Sequence, residues 1–260
     1  MRMRIQDRLP QHRREAIAAR LRDGASVSAS ALAREFEVSE DAIRRDLRDM
    51  AAAGLCQRVY GGALPVSKAN VSVEVRSKQA VERKQALARA ALGLIRPGDT
   101  LFIDSSSTNT ELAALLPGDQ RLRVITNSLS VGLAVMTKSS VELYVIGGRV
   151  DPDLGGVVGV RAVAELRQFR ADLCVLGTCA VSLAHGLAGF DIDDVDFKSA
   201  ALAISGAAVT LVTNEKLETV APHVIAPIAG IDHLVMEHDA PAALVKALGA
   251  AGPSILSASA

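Results

Sequence analysis

Residues 37–50 read EVSEDAIRRDLRDM. The run divides into a short polar turn and a helix. Ser39 is placed to cap that helix, because its hydroxyl can accept from the unpaired backbone N–H groups of the first turn. Glu40 and Asp41 follow, where negative charge suits the positive end of the helix dipole. Ile43, Leu47 and Met50 recur at helical spacing and define an apolar stripe. Arg44, Arg45 and Arg48 fall on another side, one turn beyond Asp41. A helix with an apolar back and an arginine front can pack on a small core while presenting cations to phosphates and base edges. Taken alone, the same pattern also describes a solvated helix face.

The flanking sequence favours the first reading. Arg8–Arg22 reads as a helix with Leu9, Ile17 and Leu21 as anchors and Arg13, Arg14 and Arg20 as charge, ended at Asp23-Gly24. Val27 is a short apolar link. Ser28 then caps a second helix over Ala29–Phe36, with Leu32, Ala33 and Phe36 inward, and Glu37-Val38 turns the chain into the helix that runs to Ala53-Gly54. Leu55–Tyr60 alternates as a strand does, and Gly61-Gly62 breaks it. Three helices and a short hairpin make a winged helix-turn-helix. The residues expected at DNA are Ser28, Ser39, Asp41, Arg44, Arg45 and Arg48, with Arg58 and Tyr60 from the wing. Asp41 is expected to read a cytosine amino group or to orient Arg44 or Arg45.

Charge agrees in sign. Formal charge is zero over the whole chain, yet residues 1–62 hold 12 Lys and Arg against 9 Asp and Glu, and the remainder holds 17 against 20. A modestly basic head on an acidic body fits a nucleic-acid partner at the head. Cys56, Cys174 and Cys179 are scattered and match no zinc spacing, and the five histidines show none either. No metal and no cofactor are expected. There is no apolar run long enough to span a bilayer and no secretory leader, so a cytoplasmic protein without a membrane partner is expected.

At 260 residues the chain has room for two domains. We divide it into a head over 1–66, a linker over 67–77 (the polar, Pro- and Ser-bearing run begins at Leu64) and a second domain over 78–253. Lys78–Ile95 reads as a helix. Strands at Thr100–Asp104, Leu122–Thr126, Val141–Ile146, Asp172–Gly177, Ala208–Val212 and, as the last, Ile231–Met236 then alternate with helices at Thr110–Leu116, Leu129–Thr137, Ala162–Phe169, Val195–Ser205 and Pro241–Leu248. Such alternation implies an α/β domain with a mainly parallel sheet covered on both faces. The tail Ser254–Ala260 reads as loose. Ligands of open α/β sheets bind beyond the carboxyl ends of the strands, which selects four loops. The first is Asp104-Ser105-Ser106-Ser107-Thr108-Asn109-Thr110, whose small hydroxyls and bare N–H groups suit a phosphate. The others are Thr126-Asn127-Ser128, Gly147-Gly148-Arg149 and Gly177 with Thr178 and Cys179. Lys198 and Lys216 are expected to converge on the same pocket.

The head resembles that of the DeoR family of bacterial transcriptional regulators. The resemblance rests on Ala31-Leu32-Ala33 to Phe36, Val38-Ser39, Ile43-Arg44-Arg45-Asp46-Leu47, Gly54-Leu55 and Arg58-Val59-Tyr60-Gly61-Gly62-Ala63. Ala42 stands where the family usually carries Thr, which removes one hydroxyl contact. The second domain resembles the family's sensor domain, itself similar to ribose-5-phosphate isomerase. The matching pieces there are Gly98-Asp99 to Phe102-Ile103-Asp104, Ser106–Thr108, Val124 to Leu129, Gly147-Gly148-Arg149, Gly159, Gln168–Asp172, Leu176-Gly177 and Lys198. Gly177-Thr178-Cys179-Ala180 replaces a Gly-Ala-Asp-Gly pattern, and Thr213-Asn214-Glu215-Lys216 replaces Asp-Ser-Ser-Lys, so two acids are missing.

The resemblance implies a regulator that represses a carbohydrate-utilisation operon and leaves its double-stranded operator when a phosphorylated sugar binds. It also implies a homo-oligomer, dimer or tetramer, since two heads one helical turn apart would match a partly palindromic operator. The competing expectation is an enzyme, a sugar-phosphate isomerase or deaminase. Loss of carboxylates that would move a proton weighs against it, and no catalytic residue is assigned.

Overall fold

The computed structural model describes residues 10–22, 27–53, 55–59, 61–65 and 72–260. The chain forms two compact units, Met1–Asn70 and Val71–Ala260.

In the first unit α1 (Pro10–Arg22), β1 (Val27–Ser28), α2 (Ala29–Glu35), α3 (Glu40–Ala52), β2 (Cys56–Val59) and β3 (Gly62–Pro65) follow in order. The apolar stripes of the helices meet: Ile17 and Leu21 of α1, Leu32 of α2 with Phe36 just past it, and Ile43, Leu47 and Met50 of α3 are all buried in one cluster. One detail departs from the expectation: Val27 is a strand residue, paired with Ala63, so the wing is a three-stranded antiparallel sheet in the order β1-β3-β2. The break expected at Gly61-Gly62 falls between β2 and β3, and Gly62 opens β3. A side chain there would place its Cβ 2.0 Å from the Val27 carbonyl oxygen, so only glycine lets β1 approach.

The first unit also holds a buried ion network. Asp46 faces inward from α3 and takes Arg13 Nε at 2.6 Å and Arg14 Nε at 2.8 Å. Arg13 is only 5 % exposed. Arg13, read from sequence only as a charge of the first helix, is a buried clamp between α1 and α3. Removing one partner of such a pair leaves an uncompensated buried charge.

The second unit opens with two helices, α4 (Val73–Ser77) and α5 (Val81–Ala91), where a linker ending at 77 and one long helix were expected. Ala80 takes a left-handed conformation, φ 49°, and separates them. Then come β4 (Thr100–Ile103), α6 (Ser107–Leu115), β5 (Arg123–Thr126), α7 (Leu129–Met136), β6 (Glu142–Val145), β7 (Val150–Asp151), β8 (Gly156–Val157), α8 (Val160–Leu166), β9 (Ala171–Leu176), β10 (Ala180–Ser182), β11 (Gly186–Gly189), α9 (Ile192–Ala203), β12 (Ser205–Val212), β13 (His223–Ala226), β14 (His233–Met236), α10 (Ala242–Ala250) and β15 (Ser254–Ser257).

Seven strands form one parallel sheet in the order β15-β14-β12-β9-β4-β5-β6. Leu101, Ile103, Val175 and Val209 meet α5, α6 and α7 on one face; Phe102, Cys174, Leu176 and Val212 meet α8, α9 and α10 on the other. Successive strand residues thus feed two cores, which is why the strands read as continuous apolar runs. Phe102 and Phe197 of α9 pack with ring centroids 5.9 Å apart. The tail is no loose end: β15 pairs with β14 from His233↔Ser254 to Met236↔Ser257 and edges the sheet. A small antiparallel sheet, β10-β11-β13, and the β7–β8 hairpin were not anticipated.

The strand order sets the position of the site. From β4 the chain adds β5 and β6 outward on one side, then returns to place β9 on the other side of β4. The order reverses between β4 and β9, and ligands of open α/β sheets bind in the crevice at such a switch point.

Candidate functional site

On the first unit the features expected at DNA lie on α3. Ser39 Oγ accepts from Ala42 N at 3.3 Å, and Ser28 Oγ caps α2 through Ala31 N at 3.4 Å. Both serines therefore start helices. Arg44 is held by Glu40 at 2.9 Å and lies 3.5 Å from the exposed Asp41 carboxylate. Arg45 and Arg48 are exposed and have no ion-pair partner among the described residues. Ala42 faces partly inward. Tyr60 and the side chain of Arg58 lie outside the described residues.

In the second unit the loops expected at a ligand all follow sheet strands at their carboxyl ends. They do not contribute alike. The helix expected from Thr110 starts at Ser107, so Ser107, Thr108, Asn109 and Thr110 form the first turn of α6 and not a free loop. Ser106 is its N-cap, accepting from Asn109 N at 3.0 Å. Asn109 Nδ2 donates to the carbonyls of Asp104 and Val175, both at 3.0 Å, and pins the ends of β4 and β9 together. Thr110 Oγ1 donates to the Ser106 carbonyl. Thr126 Oγ1 donates to the Ile103 carbonyl and accepts from Ser128 N, and Ser128 caps α7. Ser105 N donates to Asn127 Oδ1, while Asn127 Nδ2 reaches the Val157 carbonyl. Ser105 Oγ donates to the Leu154 carbonyl at 2.6 Å. The β7–β8 hairpin is thereby fastened over these loops. Gly147, Gly148 and Arg149 are exposed, and Arg149 joins none of these bonds.

What remains is a smaller set. Asp104, at the end of β4, is fully buried. Its Oδ2 accepts from Gly177 N at 2.9 Å and lies 3.1 Å from Lys198 Nζ. Lys198 also bonds Asp194, one turn earlier on α9, and Asp194 N is capped by Asp191. Gly177 is required here, because a Cβ would sit 2.8 Å from Asp104 Oδ2 and 2.9 Å from Ser106 Cβ. The result is a buried carboxylate–ammonium–carboxylate triad at the switch point. Asp104 Oδ1 has no hydrogen-bond partner, and an unmet buried acceptor costs about 1–3 kcal/mol. Burial, opposed by Lys198, pushes the Asp104 carboxyl up to about 6. Burial alone would lower the Lys198 ammonium, but Asp104 and Asp194 more than offset it and hold it charged.

Ser107 and Thr108 are buried, and their hydroxyls bond no protein group among the described residues. Lys216 donates to the Thr178 carbonyl at 2.8 Å. Sequence reasoning selected Asp104, Gly177, Lys198 and Lys216 but missed Asp194. The Asp194–Lys198 spacing, one helical turn, was the available signal. Among the described residues no group of three or more His, Cys, Asp or Glu side chains is placed to hold a metal ion.

A winged helix-turn-helix head and a parallel α/β domain with buried polar side chains gathered at its switch point define a class of two-domain transcriptional regulators. Residues 13–69 match the DeoR-like helix-turn-helix domain, and residues 79–238 match the DeoR C terminal sensor domain. The chain is 31% identical to the glycerol-3-phosphate regulon repressor of Escherichia coli, over 85% of this chain and 88% of that protein. It is 30% identical to the HTH-type transcriptional repressor CsqR of E. coli, over 82% of each. The chain belongs to the DeoR family of transcriptional regulators. Among solved structures, ribose 5-phosphate isomerase A of Methanocaldococcus jannaschii aligns over 53% of this chain and 54% of its own at 16% identity and a TM-score of 0.39. No helix among the described residues is long and apolar enough to cross a membrane.

Proposed function

We propose that this regulator represses a carbohydrate-utilisation operon, and that a phosphorylated sugar in the second unit releases it from operator DNA. Arg45 and Arg48 of α3 read the operator, with Arg44 oriented by Asp41. The effector lies in the switch-point crevice against Asp104, Ser107, Thr108, Lys198 and Lys216. The observation that carries the reading is the unpartnered Oδ1 of a fully buried aspartate, held in place by Lys198 and the Gly177 amide. A sugar hydroxyl is a donor of the kind that atom lacks. Binding, not turnover, is the role we assign: both carboxylates of the crevice are tied to Lys198, and Cys179 occupies the place of one missing acid. The two relatives are named as repressors, one of a metabolic regulon and one of transcription. The working form is a cytoplasmic dimer or tetramer carrying paired heads.

A panel of phosphorylated sugars tests this by thermal shift. A ligand present at about a hundred times its Kd stabilises the state it binds by about 2.7 kcal/mol. At least one phosphorylated sugar is expected to raise the melting temperature by several degrees, while its unphosphorylated counterpart does not. A panel without any shift contradicts the proposal.

A further inference from the structure

The β7–β8 hairpin is fastened on two sides. On one side it is tied to the loops that follow β4 and β5. Ser105 Oγ donates to the Leu154 carbonyl at 2.6 Å, Val157 N donates to the Asn127 carbonyl at 2.8 Å, and Asn127 Nδ2 returns a bond to the Val157 carbonyl at 3.0 Å. The fit there is close, since a Cβ on Gly156 would lie 2.8 Å from Ser105 Cβ. On the other side the hairpin meets α4. Val73 N donates to the Asp153 carbonyl at 2.9 Å, and a Cβ on Gly155, φ +71°, would lie 2.3 Å from Val73 Cγ1. The turn between the two sides is stiffened by Asp151 Oδ1, which accepts from Asp153 N and Leu154 N. Strands of two residues do not hold a hairpin by themselves; this one stands through its fastenings.

α4 depends on the hairpin in turn. It has five residues, none of them buried, and its N-cap Ser72 makes no side-chain capping bond. A helix this short does not persist alone. The Val73 amide is one of the first-turn donors that a helix cannot satisfy internally, and the Asp153 carbonyl takes it. α4 lies in the segment read from sequence as linker and starts just past the boundary between the two units. Unwinding its five residues, from about 1.5 to about 3.3 Å each, would lengthen the connection to the head by about 9 Å. We propose that the β7–β8 hairpin is a strap that couples effector binding to the winding of α4. A ligand that displaces the Asp104–Ser105 corner pushes on Gly156, draws the Asp153 carbonyl away from Val73 and unwinds α4. The fastened strap with α4 wound is the arrangement assigned to operator binding. This route rests on the crevice reading above, and α4 is the two-state element that such coupling requires.

Amide hydrogen exchange, followed by NMR on the full chain, is the test. The probe is ribose 5-phosphate, fructose 6-phosphate or glucose 6-phosphate, whichever raises the melting temperature most. It is expected to speed exchange of the Val73 amide about tenfold or more, as local opening does, and to leave the amide of Val124, buried in β5, unchanged. Val73→Pro supplies a second measurement. Proline suits the first position of a helix and follows the extended Ser72 without strain, so α4 stays wound while the N–H that Asp153 holds is gone. That variant should bind operator and probe as the unaltered chain does. The loss of operator affinity that the probe causes should shrink to less than about threefold, from a coupling of about 5- to 150-fold. Val73→Ala keeps the N–H and should keep most of the release. Exchange at Val73 that ignores a bound probe overturns the strap and leaves the crevice reading standing. So does full release of the Val73→Pro chain by the probe. A panel of phosphorylated sugars without any thermal shift overturns both.

Discussion

Replacing Arg45 and Arg48 together with alanine is expected to lower operator affinity by about two to three orders of magnitude. Each base or phosphate contact of this kind contributes about 1–3 kcal/mol, and these two guanidinium groups are exposed and unpaired among the described residues. The slope of log affinity against log salt should fall by roughly one for each phosphate that an arginine no longer neutralises. Stability should barely move, since exposed substitutions away from caps and cores shift it by about 0.5 kcal/mol or less. Arg44→Ala should cost less, because Glu40 and Asp41 already hold that side chain. Gel shifts with fragments from the protein's own operator measure all three. Equal binding by the double variant would remove α3 as the reading helix.

Lys198→Met is expected to have the largest effect in the second unit. It leaves Asp104 and Asp194 buried together without their cation, and breaking a buried pair costs about 3–5 kcal/mol. Urea unfolding should register that loss, and combining it with Asp194→Asn should recover part of it, because one of the two stranded charges is gone. Response to effector should disappear in both variants while operator binding persists. An unchanged unfolding midpoint for Lys198→Met would mean that the triad carries no charge worth stabilising.

The winged head was legible because its signals are local. Ser28 and Ser39 sit as caps immediately before helices whose apolar residues repeat at helical spacing, and these elements are present as read. Val27 was misread because two residues give no periodicity; its strand exists only through pairing with Ala63. Likewise β15 and the hairpin of β7 and β8 are held by partners distant in sequence, and no pattern within them announces it. At the crevice, chemistry type was readable but not allocation. Ser, Thr and Asn after strands lie together at the carboxyl end of the sheet, yet Ser106, Asn109, Thr126 and Asn127 fasten strand ends and helix starts to one another. A hydroxyl or amide spent on the backbone looks the same in sequence as one left for a ligand.

Under the proposed function, one ligand event in the second unit controls DNA binding by the first. The decisive measurement is fluorescence anisotropy of labelled operator DNA, titrated with the full chain at fixed concentrations of a phosphorylated sugar that raises its melting temperature. Coupling between sites is reciprocal, so a sugar phosphate that weakens operator binding about 5- to 150-fold must itself bind more weakly to the operator complex by the same factor. That loss of operator affinity is the expected result, absent with the unphosphorylated sugar and absent in Lys198→Met. A sugar phosphate that binds the chain tightly and leaves the operator titration unchanged would contradict it.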